Sequence, residues 1–148
     1  MEIINSNQRI KSVFNILKPT YGIVPIVAGL DKFTDILTRW ENYLHPGIAS
    51  LLPFSPHTFM MMVGTIEIIA GVIVLVKPLI GGYIVAIWLT LIALTLLASG
   101  NYLDVAVRDL VMAIGAFSLS RISKIVLEGS EEKVAYNKSA VALTSEVE

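Results

Sequence analysis

Cysteine is absent from the 148 residues. That removes thiol nucleophiles, disulfide exchange, iron–sulfur ligation and thiolate zinc sites. Charge is scarce as well: charged residues make up 16% of the chain, against roughly 25% in soluble domains. The formal net charge is −1 and no basic run occurs, so the chain has no nucleic-acid footprint. Histidine occurs only as His45 and His57, both beside prolines in one connecting stretch. A haem or metal site draws such ligands from facing helices, so no metal site is read. There is no P-loop, dinucleotide fingerprint, Ser/His/Asp set or zinc-protease motif. With no nucleophile beside a base, an enzyme acting alone is the least favoured reading.

What the chain does have is apolar length. Hydrophobic residues are 55% of the total and mean hydropathy is +0.73. Residues 79–98, LIGGYIVAIWLTLIALTLLA, carry no charge, and about 20 such residues cross one bilayer. A helix apolar on every side suits hydrocarbon, where it satisfies its own backbone donors and acceptors. Further spans are read near 13–31, 58–76 and 103–121. Pro19 and Pro25 allow a kinked first span. Lys77-Pro78 and Ser99-Gly100-Asn101 make short turns, and short turns imply antiparallel neighbours. The expected fold is all-α: an integral membrane four-helix antiparallel bundle.

Residues 1–12 read as a cytoplasmic lead-in, part of an amphipathic stretch running to Lys18 at the membrane surface. Residues 126–148 lose periodicity, gain charge and are expected to be a disordered cytoplasmic tail. After Asp31-Lys32, Phe33, Ile36, Leu37, Trp40 and Leu44 recur at helical spacing among Asp35, Arg39 and Glu41. That pattern predicts an external amphipathic helix between helices 1 and 2, anchored by Trp40 and Tyr43 and ended by Pro46-Gly47. Four crossings place both termini on one side. Arg9, Lys11, Lys18, Lys77, Arg121, Lys124, Lys133 and Lys138 then share it, which makes that side cytoplasmic.

Glu67 lies roughly 13 Å below the outer end of its span by helix rise, and a carboxylate at that depth must be protonated, paired or hydrated. A contact with Arg108 is the predicted solution, with Asp104 four residues earlier as an intrahelical partner. Asp31, Lys32, Glu67, Asp104, Arg108 and Asp109 form the candidate polar cluster. It serves either as a pocket for a quinone headgroup, small anion or proton, or only as ion pairing that fixes helix register. Gly22 and Gly29, and likewise Gly64 and Gly71, stand seven apart on single helix faces that suit close approach of another helix.

The stretch YGIVPIVAGLDKFTDILTRWENYLHP, followed by GTIEIIAGVIVL and YLDVAVRDLVMAIGA, resembles the DoxX-like family of small four-helix bacterial membrane proteins over roughly residues 13–125. By that resemblance Gly29 and Lys32 match the end of the first helix, Glu67 and Gly71 a second-helix motif, and Arg108-Asp109 a fourth-helix pair. It implies a multi-pass protein of the bacterial inner membrane, associated with membrane redox complexes and with quinone as a cofactor. The thiol chemistry of some relatives is excluded by the missing cysteines. The expected function is an accessory or quinone-site subunit of a membrane oxidoreductase. The rivals are a small-solute or proton carrier, and a structural subunit whose glycine faces bind partner helices. Expected partners are the lipid bilayer and a membrane protein or a second copy.

Overall fold

The chain was analysed as a computed structural model that describes residues 2–44, 46–50 and 52–145. It is all-helical, with α1 (Glu2–Asp31), a single-turn α2 (Pro46–Ala49), α3 (Pro56–Val76), α4 (Pro78–Ser99) and α5 (Leu103–Ser145). Four of these helices are long and apolar enough to cross a membrane. Prolines and glycine punctuate them. Ser55 caps α3 by accepting from Thr58 N at 3.2 Å, with Pro56 in the first turn. Lys77 alone separates α3 from α4, which opens on Pro78. Gly100, at φ +70°, closes α4 in the left-handed conformation that glycine adopts without a Cβ penalty.

The helices form a ring of two close pairs, α1 with α3 and α4 with α5, joined by α3–α4 and α1–α5 contacts. Glycine is why α1 and α3 sit so close. A Cβ on Gly29 would meet Gly64 O at 2.5 Å, and one on Gly64 would meet Gly29 O at 2.5 Å. Two turns away, a Cβ on Gly71 would meet Gly22 O at 2.5 Å. All four glycines therefore face one another inside the chain, not a partner helix. Between α4 and α5, Ser120 Oγ donates to Leu79 O at 2.9 Å across the interface.

The interior is built from small and medium side chains: Ala70, Val74, Val85, Ala86, Ala116 and Leu119 around Tyr21 form the main cluster, and Ala93, Leu96 and Ala106 a second. Larger apolar side chains point outward, among them Ile16, Leu30, Ile87, Leu91, Ile114 and Phe117. A water-facing monomer would bury these; packing through small residues with bulky ones outside is the pattern hydrocarbon accepts. Thr65, Thr90, Thr95 and Ser118 turn their hydroxyls back onto the carbonyl four residues earlier, leaving no bare donor on those surfaces.

Three expectations are corrected. The lead-in is not a separate element, since α1 is continuous from Glu2. The tail is helical up to Ser145, not disordered. It contains no proline and continues an already formed helix, so no new nucleus is required. Between α1 and α3 there is no continuous amphipathic helix among the described residues; a turn, a 3-10 turn at Trp40–Tyr43 and α2 replace it. The cause is Asp31. Its carboxylate accepts from the backbone N–H groups of Ile36 and Leu37, each at 3.0 Å, and from Trp40 Nε1 at 2.7 Å. Those bonds fold the chain back over the end of α1. His45 lies outside the described residues.

Candidate functional site

At the end of α1 the backbone turns and carries Lys32 inward. Its ammonium meets Glu67 Oε2 at 2.6 Å, and both side chains are nearly withdrawn from the surface, at 5% and 11% exposure. Glu67 reaches it because Gly29 and Gly64 bring α1 and α3 into backbone contact one turn away. The Trp40 ring covers the ammonium, with Nζ 3.7 Å from its centroid, a cation–π contact that gains strength when desolvated. Asp31 accepts from the Nε1–H of that indole. The loop thus places Trp40 as a cap on the buried pair.

Two further groups complete the site. Asp109 on α5 is buried, and lies close enough to interact electrostatically with both Glu67 and Lys32. Trp88 on α4 turns its indole N–H into the interior, where it acts on Glu67 but makes no hydrogen bond of acceptable geometry. Each long helix contributes to one polar level: Lys32 at the end of α1, Glu67 from α3, Trp88 from α4 and Asp109 from α5. On the outer side of Trp88 an apolar cleft of about 220 Å³ opens between α3 and α4, lined by Ile66, Ala70, Ile84, Ile87 and Trp88.

No protein-family model, curated protein or solved structure matches this chain. The chemistry of the site must be read from its own residues.

The predicted cluster divides in two. Asp31, Lys32, Glu67 and Asp109 are buried together near one end of the bundle. Asp104 and Arg108 are exposed on the outside of α5. The expected Glu67–Arg108 contact does not form: the Arg108 side chain is 63% exposed and its Nε reaches only Asp109 Oδ1, at 3.4 Å. Lys32 supplies the cation instead. It is nearer along the α1–α3 glycine seam, and its compact ammonium fits a site closed by an indole. Of the two aromatic anchors, Trp40 caps the site. Tyr43 packs against Tyr102 with ring centroids 4.6 Å apart and planes tilted by 42°, tying the connecting loop to the α4–α5 turn.

Trp88 was not singled out by sequence reasoning. The available signal is that it is the only indole in a span that otherwise lacks strong hydrogen-bond donors apart from two threonines, a serine and Tyr83. A buried Trp N–H ordinarily finds an acceptor. Chemically, the site offers two carboxylates that can take a proton, an ammonium and an indole N–H. Among the described residues no group of three or more His, Cys, Asp or Glu side chains is placed to hold a metal ion.

Proposed function

We propose that this is a multi-pass membrane protein serving as an accessory, quinone-site subunit of a membrane oxidoreductase complex. The observation that carries the reading is Trp88, whose buried N–H faces Glu67 without a well-formed hydrogen bond while its ring lines an apolar cleft. A quinone has an apolar body and carbonyl acceptors, so it fits the combination. Trp88 is the donor that would hold a carbonyl, and the cleft it lines would take the chain. When bound, a quinone supplies two-electron, two-proton redox chemistry. The chain's own part is to exclude water, orient the headgroup and keep a proton on Glu67 or Asp109. Resemblance to the DoxX-like family supports the redox association. The basic residues at the end shared by both termini support a bacterial inner membrane with that end cytoplasmic.

The test is purification with native partners in mild detergent, followed by quinone extraction and an assay of quinone-linked electron transfer. Trp88→Phe keeps an aromatic ring and removes the donor, so it should lower quinone retention about tenfold, the equivalent of one neutral hydrogen bond. A wild-type preparation without quinone, together with unchanged electron transfer in Trp88→Phe and Glu67→Gln, would refute the reading.

One observation favours proton carriage as a second reading: a single buried ammonium, Lys32, faces both Glu67 and Asp109. Proton flux into proteoliposomes, abolished by Glu67→Gln and present without any redox partner, would select it.

A further inference from the structure

Two indoles close the polar level, and they are held differently. Trp40 roofs it from the connecting loop: its ring lies over Lys32, and its Nε1 donates to Asp31 Oδ2 at 2.7 Å. The loop that carries it is tied to the same carboxylate by Ile36 N and Leu37 N, each 3.0 Å from Oδ1. Hydrogen bonds to an ionised carboxylate are among the stronger ones, so this roof is fixed. Trp88 has no such fastening. Its Nε1 is buried beside Glu67 without a well-formed hydrogen bond, and its ring has the cleft of about 220 Å³ on the other side. That cleft sits halfway along its two helices. Ile66 is ten residues from both Pro56 and Val76, and Trp88 is ten from Pro78 and eleven from Ser99. By helix rise the cleft is about 15 Å from either end, the middle of a hydrocarbon core about 30 Å thick. Its flanks, Ile66, Ile84 and Ile87, are exposed on the outside of the bundle, so it opens sideways. Its volume is below the roughly 300 Å³ at which pockets for whole drug-sized ligands begin, so it takes a slim apolar group and not a headgroup.

We propose that the Lys32–Glu67 level is reached sideways, from the bilayer core between α3 and α4, with Trp88 as the wall that swings. The site then admits molecules dissolved in the membrane and rejects those dissolved in water. The admitted molecule has a slim apolar chain, which occupies the cleft, and a hydrogen-bond acceptor at its head, which meets the Trp88 N–H. Turning Trp88 takes it from one staggered rotamer to another and breaks no well-formed hydrogen bond. Lifting Trp40 breaks one to a carboxylate and pulls its ring off an ammonium. The easier opening is therefore the one that faces hydrocarbon. For the kind of ligand this rests on the quinone-site reading; the route does not.

Glu67 reports the route. The full chain, reconstituted in phospholipid vesicles, is treated with two carbodiimides: the lipid-soluble dicyclohexylcarbodiimide, and a charged, water-soluble one loaded on both sides by freeze–thaw. Mass spectrometry reads a modified Glu67 as a stable acylurea or as an amide to Lys32. The lipid-soluble reagent should modify Glu67. The water-soluble one should modify Glu131 and Glu132, exposed on α5, and spare Glu67. Ile87→Trp, which fills the mouth of the cleft, should slow modification of Glu67 about tenfold, equivalent to about 1.4 kcal/mol on the entry barrier. Leu91→Trp, one turn further along α4 and not part of the cleft lining, should leave the rate unchanged. Trp88→Ala removes the wall and should raise it, with circular dichroism confirming the fold of each variant. Modification of Glu67 by the water-soluble reagent, its escape from both reagents, or a rate unmoved by Ile87→Trp or by Trp88→Ala would overturn the proposal. The vesicles contain no quinone, so the route stands or falls apart from the quinone-site reading.

Discussion

At the residue scale, the two basic candidates near Glu67 have opposite fates. Lys32 is buried against the carboxylate at 2.6 Å; Arg108 is exposed and holds only Asp109, at 3.4 Å. Removing one partner of a buried pair leaves an uncompensated charge, at a cost of about 3–5 kcal/mol. Lys32→Met should therefore lower the thermal midpoint in detergent severely, whereas Arg108→Ala should barely move it. Adding Glu67→Leu to Lys32→Met should restore most of the loss, since a packed apolar pair can match an ion pair in stability. A double variant that folds well but lacks function would show that the charges are kept for activity and not for register. The glycines offer a parallel contrast. A Cβ on Gly64 runs into the Gly29 carbonyl, a backbone atom that cannot swing aside. Gly64→Ala should thus destabilise by about 1–3 kcal/mol through overpacking. Gly129 has nothing near its hypothetical Cβ and lies within α5. Gly129→Ala should stabilise the helix by up to about 1 kcal/mol. Unfolding curves of the two variants, run side by side, check both signs.

At the element scale, α5 is the longest helix, and its 43 residues extend about 65 Å by helix rise. A hydrocarbon core is about 30 Å thick, so roughly half of α5 projects past a bilayer-sized slab. The projecting part is largely exposed, and an isolated helix of that length is marginal in water. Its order derives from the packed half that nucleates it. Truncation after Gly129 should then leave the thermal midpoint of the bundle unchanged. The far-ultraviolet dichroism should fall by the share of helix removed; no change would mean the removed tail is unstructured in solution. That the bundle is made of four apolar helices was legible, because uncharged runs and their proline and glycine stops are local signals. The course of the loop was not: Ile36, Leu37 and Trp40 have helical spacing, but the Asp31 carboxylate takes their N–H groups first. Nor was the partner of Glu67. A helix apolar on all sides carries little information about its rotation, so sequence placed Glu67 by depth and could not say which neighbour it faced. The glycines held that information, since Gly29 and Gly64 fix the α1–α3 seam beside the pair.

At the scale of the whole molecule, the helices have a direction as well as a medium. Both termini lie at one end, because four long antiparallel helices return the chain to the side where it began. Ile10 and Lys11 of α1 there meet Ile125, Gly129 and Lys133 of α5. The α1–α3 connection, with Trp40 and Glu41, lies at the other end. The lysines and arginines divide unevenly between the two. If the bundle sits in a membrane with its basic end in the cytoplasm, then the α1–α3 connection and the buried Lys32–Glu67 pair lie toward the outside. The chain is suited to testing this because it contains no cysteine, so one introduced thiol is the only target for a maleimide. Ser50, in the α1–α3 connection, and Ser130, on the projecting part of α5, are both exposed. In spheroplasts a membrane-impermeant maleimide should label Ser50→Cys and spare Ser130→Cys until the cells are lysed. The reverse pattern would put the α1–α3 connection in the cytoplasm. Labelling of both thiols before lysis would refute a membrane-spanning bundle outright. So would a monodisperse protein in detergent-free buffer, because the outward-facing Ile, Leu and Phe side chains would then need a cover that no bilayer supplies.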